Sequence, residues 1–349
     1  MLFKPSSRKI LLTGITLCLQ ILSATLYAQI DDSYVAPFKE RRVEIFSIIP
    51  QSRVVVNFPS KGRLKKSRET RVILYALPNG NTIEQTEGLF FEDREKREKE
   101  WRYDIQHIAA QVRFLRERDK RFNYVIVYLE STTKAWTSHA SAHSNSPALY
   151  NFLLDSIQKF IAYQLPEIAP LSRQRLILAS HSGGGRFLFN LIRGMDSIPS
   201  SIERIAFLDS NYGYETELQG DKLYKWIQAP PERFLGVISY VDTTVILEGK
   251  RVVSSKGGTG YRAHLMARDL KERGVEMTFK SDTAFVCYNG KGVEIKIKEN
   301  PSGKIYHTVL VERNGLVHMI LSGSKLENRG YRFWGNRCYS KYIINSPEL

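Results

Sequence analysis

The segment Leu176-Ile177-Leu178-Ala179-Ser180-His181-Ser182-Gly183-Gly184-Gly185-Arg186-Phe187 decides the fold. It opens as an apolar run of strand length. The run meets three polar residues and three successive glycines, and a helical stretch follows to about residue 193. A buried strand thus enters a turn too tight for side chains beside it, and a helix starts at once. That geometry lifts the Ser182 hydroxyl above the end of a sheet. The helix N-terminus beneath it offers free N–H groups and a dipole suited to an anion. Neither the G-x-G-x-x-G of a dinucleotide loop nor the Gly-Lys-Ser/Thr of a phosphate loop is present.

Outward from this turn the chain alternates. Val72–Leu77, Tyr124–Leu129, Arg175–Ala179, Arg204–Leu208 and Arg233–Tyr240 read as strands. Several are continuously apolar, as strands buried on both faces are. Helices are expected at about 93–118, where Trp101, Ile105, Ile108, Val112 and Leu115 form one stripe, and at 148–163, 184–193, 220–228 and 260–273. Val43–Ile49 and Val54–Phe58 are shorter β-rich runs that end at prolines. Residues 29–40 read as a lead-in arm and 131–147 as a loop. A small β-rich insertion is expected near 279–303, and Ile305–Glu312 reads as the last strand. Strand and helix in strict turn predict an α/β protein: a mainly parallel central sheet with helices on both faces, a three-layer sandwich.

The five residues Ser180-His181-Ser182-Gly183-Gly184 resemble the nucleophile elbow of the α/β-hydrolase superfamily, whose pattern is small-x-Ser-x-small. Ser180 departs from the commonest glycine at the first position. The resemblance covers most of the chain in element order, but only the elbow is a specific motif. It implies acyl transfer through a covalent ester on Ser182, with no cofactor. It also implies the chain order Ser, acid, His. Of the histidines after Ser182, His264 lies in an expected helix and His307 in the expected last strand. His318 follows that strand and is favoured as the general base. Asp242, after the strand ending at Tyr240, is favoured as the acid, with Asp209 after the preceding strand as the alternative. The resemblance assigns one oxyanion donor to the N–H of Gly183 and a second to Gly80 or Asn81, in the loop after Leu77. Trp136, His139 and Tyr212 are candidates to line the substrate site. His139 and His143 are four residues apart but lack a third metal ligand of obvious spacing, so no metal is expected.

The N-terminus has the order of a secretory signal peptide: Lys4, Arg8 and Lys9, then the apolar run Ile10–Leu22, then a small-residue end at Ala28. Residues 1–28 are thus expected to be a cleaved leader, or an N-terminal membrane anchor if uncleaved, and 29–349 a single domain placed in the periplasm or outside the cell. No other run is apolar enough to cross a bilayer. Export would let Cys287 and Cys338 pair, or they stand as two thiols. The net charge of +15 comes from dispersed cations. The densest run, 61–71, carries no aromatics for stacking bases, so the charge reads as a solvated basic surface with no nucleic-acid partner. The expected function is hydrolysis of a small or polymer-borne ester. A serine peptidase, an acyltransferase and a catalytically silent binding protein of the same fold are the alternatives. Oligomeric state is not legible in the sequence.

Overall fold

The computed structural model describes residues 31–35, 37–230 and 233–346. The expected leader, 1–28, lies outside the described residues. Among the described residues one sheet dominates: β1 (Asp31–Val35), β2 (Glu40–Phe46), β3 (Ser52–Phe58), β4 (Glu69–Ala76), β5 (Phe122–Ser131), β6 (Gln174–His181), β7 (Ile202–Leu208), β8 (Phe234–Tyr240), β9 (Met277–Ser281), β10 (Phe285–Gly290) and β11 (Val293–Lys298). Their spatial order is β1-β2-β3-β5-β4-β6-β7-β8-β11-β10-β9. The six strands from β5 to β11 are mutually parallel, and antiparallel strands extend the sheet at both edges.

Strand residues alternate between two cores, as a period of two demands. Val72, Leu74, Leu176, Leu178, Ile205 and Phe207 face one side. There they meet the helices α3 (Ser146–Gln164), α4 (Gly185–Arg193) and α5 (Thr259–Glu272), numbered after α1 (Ile108–Arg118) and α2 (Trp136–Ala142). Ile73, Tyr75, Ile177, Ala179, Ala206 and Leu208 face the other side, against α1 and α6 (Gly315–Leu321). Burial on both faces is why these strands read as unbroken apolar runs.

The structure corrects five sequence expectations. The long helix at 93–118 is broken into Arg94–Lys99, a 3₁₀ turn at Trp101–Asp104, and α1. His107 interrupts it at φ +44°, with its ring 2.7 Å from Asp104, a carboxylate that Arg337 also holds at 2.7 Å. Trp101, counted on the apolar stripe, is 51% exposed. The lead-in arm contains β1, and the loop 131–147 contains α2. The β-rich segment near 279–303 is not an insertion but the edge of the main sheet, with β11 pairing in parallel with β8. Ile305–Glu312 is a loop ending in a single helical turn, Val309–Glu312. Cys287 and Cys338 are both free thiols.

Candidate active site

β6 ends at His181, and Ser182 turns the chain into α4. Ser182 has φ +51°, a conformation that costs a non-glycine residue about 1–3 kcal/mol. The glycines after it leave no room for side chains. A Cβ would lie 2.0 Å from Asn79 Oδ1 at Gly183, 2.1 Å from the Ala76 carbonyl oxygen at Gly184, and 1.7 Å from the Ser210 carbonyl oxygen at Gly185. The helix therefore starts pressed against the ends of β4 and β7. Ser180, in the position usually held by glycine, is buried and joined to Ser210 through their hydroxyls at 2.8 Å, and Ser210 Oγ also donates to the Ser180 carbonyl at 3.1 Å. That pair ties the elbow to the loop after β7.

The β6–β7 register sets Ser180 beside Phe207 and His181 beside Leu208. The next residues, Ser182 and Asp209, emerge together at the carboxyl edge of the sheet. Asp209 is fully buried and also left-handed, at φ +48°. Its Oδ2 accepts from His307 Nδ1, and its Oδ1 accepts from the Thr259 hydroxyl. His307 sits partly exposed on the loop before Val309, with its carbonyl 3.2 Å from His181 Nε2 and the two rings 4.6 Å apart. The loop bearing His307 is closed by Asn300. Its amide donates to the carbonyls of Val241 (3.0 Å) and Lys304 (2.9 Å), and its Oδ1 accepts from the Lys304 N–H at 3.0 Å. With Nδ1 engaged by Asp209, Nε2 is the ring nitrogen left for another partner. Burial, then the neighbouring His307, pushes His181 well below the usual histidine range, so His181 is neutral at pH 7.

The favoured base and acid lie elsewhere. His318 is on α6, not on a loop. It is buried, stacked on Phe333 at 4.9 Å, with Nε2 2.8 Å from Glu294 Oε2. Glu294 pairs in register with Gly236, four residues before the end of β8, or about 13 Å below the edge that carries Ser182. Asp242 is buried near the edge, and among the described residues no histidine is hydrogen-bonded to it; its Oδ2 accepts the Thr259 N–H at 2.9 Å. Burial, and then the nearby Asp209, raises the Asp242 carboxyl above its ordinary range. Thr259 therefore bridges the two aspartates, with its hydroxyl on Asp209 and its N–H on Asp242.

Of the oxyanion candidates, the N–H of Gly183 lies at the start of the helix turn. The N–H of Gly80 does not point there: it donates to the Lys134 carbonyl at 2.8 Å. Asn81 leads into the Thr82-capped helix Ile83–Glu87. The residue of this loop that meets the elbow is Asn79, through the side chain lying against Gly183. Trp136 and His139 are buried in the wall of α2. Trp136 Nε1 donates to Leu129 O at 3.3 Å. His139 lies between Tyr150 (3.0 Å) and the Pro50 carbonyl (2.8 Å), so neither faces the elbow as a free group. Tyr212 is half-buried after Asp209, and its phenol is raised by burial and then by Asp209 and Asp242. Among the described residues no cluster of metal-ligating side chains is present, and no helix is long and apolar enough to cross a membrane.

Thr259, Asn300 and Asn79 were not singled out from the sequence, and His307 was weighed there but placed behind His318. The order Ser, acid, His admitted His307; reading Ile305–Glu312 as a strand set it aside. The Asn300-Pro301-Ser302-Gly303 turn just before it was the available sign of a loop.

Six parallel strands with antiparallel edges, helices on both faces and a left-handed serine at a strand–helix turn make this an α/β-hydrolase fold. No protein-family model matches the sequence, and no curated protein is similar to it. Among solved structures, the chain is similar to a thermostable esterase (13% identity, 80% of this chain and 62% of that one, TM-score 0.45). It is also similar to an IroE-like serine hydrolase from Shewanella oneidensis (14% identity, 84% and 78%, TM-score 0.44) and to the siderophore hydrolase EstA from Aspergillus nidulans (11% identity, 78% and 91%, TM-score 0.44). The chain thus spans less than two thirds of the length of that thermostable esterase.

Proposed function

We propose that this chain is an exported serine hydrolase that cleaves esters. Ser182 is the nucleophile, His307 the general base and Asp209 the acid. The observation that carries this reading is the His307–Asp209 pair, its ring 4.6 Å from His181, which precedes a serine held at φ +51°. In this reading Asp209 fixes the His307 ring and stabilises the imidazolium that forms. His307 takes the Ser182 proton as Oγ attacks the acyl carbon, then returns it to the leaving alcohol oxygen. Water repeats the sequence and releases the acid, so the ester is split with no cofactor. The Gly183 N–H and the Asn79 side-chain amide are the two oxyanion donors in this reading. Thr259 and Ser210 position Asp209 and the elbow. Export, to the periplasm or beyond, rests on the leader-like sequence of residues 1–28.

The test is labelling of the purified mature protein by a fluorophosphonate, followed by turnover of p-nitrophenyl esters. Labelling in the wild type that is lost in both Ser182→Ala and His307→Ala is the expected result. Absence of labelling in folded wild-type protein would reject the hydrolase reading.

A further inference from the structure

After β8 and the buried Asp242 the chain leaves the sheet as a two-stranded hairpin, Ile246–Leu247 against Lys250–Arg251. Glu248 and Gly249 form its turn, both left-handed at φ +50° and +74°, as in a tight type I′ hairpin. The root is fixed. Val245 is buried, its N–H donates to the Asp242 carbonyl at 3.1 Å, and the Val252 N–H donates to the Val245 carbonyl at 3.2 Å. The Thr244 hydroxyl lies 2.8 Å from the carbonyl of Asn300, which closes the loop bearing His307. β8 and β11 run parallel, so the hairpin and that loop both leave the carboxyl edge of the sheet.

Every residue from 246 to 252 is exposed. Ile246 is 64% exposed, Leu247 55% and Val252 41%. Exposed aliphatic side chains scattered singly are ordinary, but three together on a projecting ribbon form a patch that water disfavours. The register adds a charge to each face of the ribbon. Ile246 pairs with Arg251 and Leu247 with Lys250, and a period of two sets these pairs on opposite faces. The neighbouring loop repeats the pattern, with the exposed Lys304 beside the exposed Ile305. Glu248 is the one carboxylate in the segment 244–256, against Lys250, Arg251 and Lys256. Among the described residues, none of these three cations nor Lys304 forms an ion pair.

We propose that this hairpin docks the protein on an anionic lipid bilayer, with the aliphatic tip in the headgroup layer and the flanking cations on the lipid phosphates. Burial of apolar area and attraction to anionic lipid then act together, and the ribbon supplies both from adjacent residues. A second copy of the chain fits worse, because a self-complementary contact would set Lys250 and Arg251 against the same cations. A protein partner also fits worse, because the segment 244–256 has none of the aromatic side chains that anchor protein interfaces. The proposal does not rest on the catalytic reading.

The experiment sediments the full mature chain carrying Ser182→Ala with vesicles of phosphatidylcholine alone, and of phosphatidylcholine mixed equally with phosphatidylglycerol. The expected partition into the mixed vesicles is at least ~10-fold higher. A net charge of +15 favours any anionic surface, so the hairpin variants decide. Ile246→Ser/Leu247→Ser keeps every charge and lowers the partition by at least ~10-fold, and Lys250→Gln/Arg251→Gln does the same. All four side chains are exposed, so Tm stays that of the parent. Arg63→Gln/Lys120→Gln removes the same charge from exposed positions, Lys120 lying just before β5 at the amino edge, and changes the partition by less than ~3-fold. The proposal is overturned if the parent shows no preference for the anionic vesicles, if the serine pair binds as tightly as its parent, or if the amino-edge pair weakens binding as much as the hairpin pair. A hairpin-dependent dimer in place of vesicle binding also overturns it.

Discussion

His307 Nδ1 faces the Asp209 carboxylate across 98 residues of sequence, and the His307 ring lies 4.6 Å from the ring of His181, the residue before Ser182. The partner is not the histidine that follows the last expected strand. The distinction between His307 and His318 is the sharpest consequence of the fold.

Replacing each histidine by alanine separates their roles. His307→Ala is expected to lower kcat on p-nitrophenyl acetate by roughly 10³–10⁶-fold with little change in stability. His318→Ala is expected to keep kcat within roughly threefold of wild type. It should cost about 2–5 kcal/mol in urea unfolding, because it empties a buried position stacked on Phe333 and strands Glu294. The opposite pattern would return the general base to His318.

The two aspartates divide in the same way. Asp209→Asn removes the acceptor that holds the His307 tautomer, and kcat should fall by about 10³–10⁴. Asp242→Asn keeps an acceptor for the Thr259 N–H and should leave kcat within ~10-fold. Because burial raises the Asp242 pKa, its ionised form opposes folding. Its contribution is fully present below the unfolded value, near 3.8, and declines as pH rises through the folded value. The asparagine variant should therefore gain on wild type as pH rises, in unfolding curves taken from pH 4 to 8.

The elbow glycines should fail differently. A Cβ at Gly185 meets the backbone carbonyl of Ser210, which cannot move aside, so Gly185→Ala is expected to lose about 3 kcal/mol or more. A Cβ at Gly183 meets the Asn79 side chain, which can swing away. Gly183→Ala should fold but lose about 10²–10³ in kcat, and Asn79→Ala should show a loss of the same order. Unchanged turnover in Asn79→Ala would remove Asn79 from the oxyanion site.

Acid should reveal the Glu294–His318 contact. Burial alone would raise the Glu294 pKa, but His318 and Lys296 outweigh it and lower the carboxyl to about 2. The stability that this contributes is present above the unfolded value near 4.5 and is lost as pH falls toward 2. Urea midpoints measured between pH 5 and 2 should fall, and His318→Phe should flatten part of that fall.

Much of this protein was legible in its residues. The strands at 72–77, 124–129, 175–179 and 204–208 were readable because burial on both faces demands continuous apolarity, and three adjacent glycines marked the elbow because no other residue fits that turn. The break at His107 was not readable: the apolar stripe ran through it, and the contacts that hold the break are the His107 hydrogen bond to Asp104 and the Arg337 ion pair with that carboxylate, from far along the chain. The Ile305–Glu312 error had the same origin. An apolar run of that length suits a strand, but the sheet position was already filled by Val293–Lys298.

The sequence by itself determined the alternating architecture and the tight glycine turn after β6, because these depend on local periodicity and on side chains too large for a turn. Only the tertiary structure decided which acid and which histidine meet. That choice rests on the register of β6 with β7, on Thr259 dividing its two donors between Asp209 and Asp242, and on Asn300 closing the loop that carries His307. None of these contacts is local, so no spacing in the chain records them.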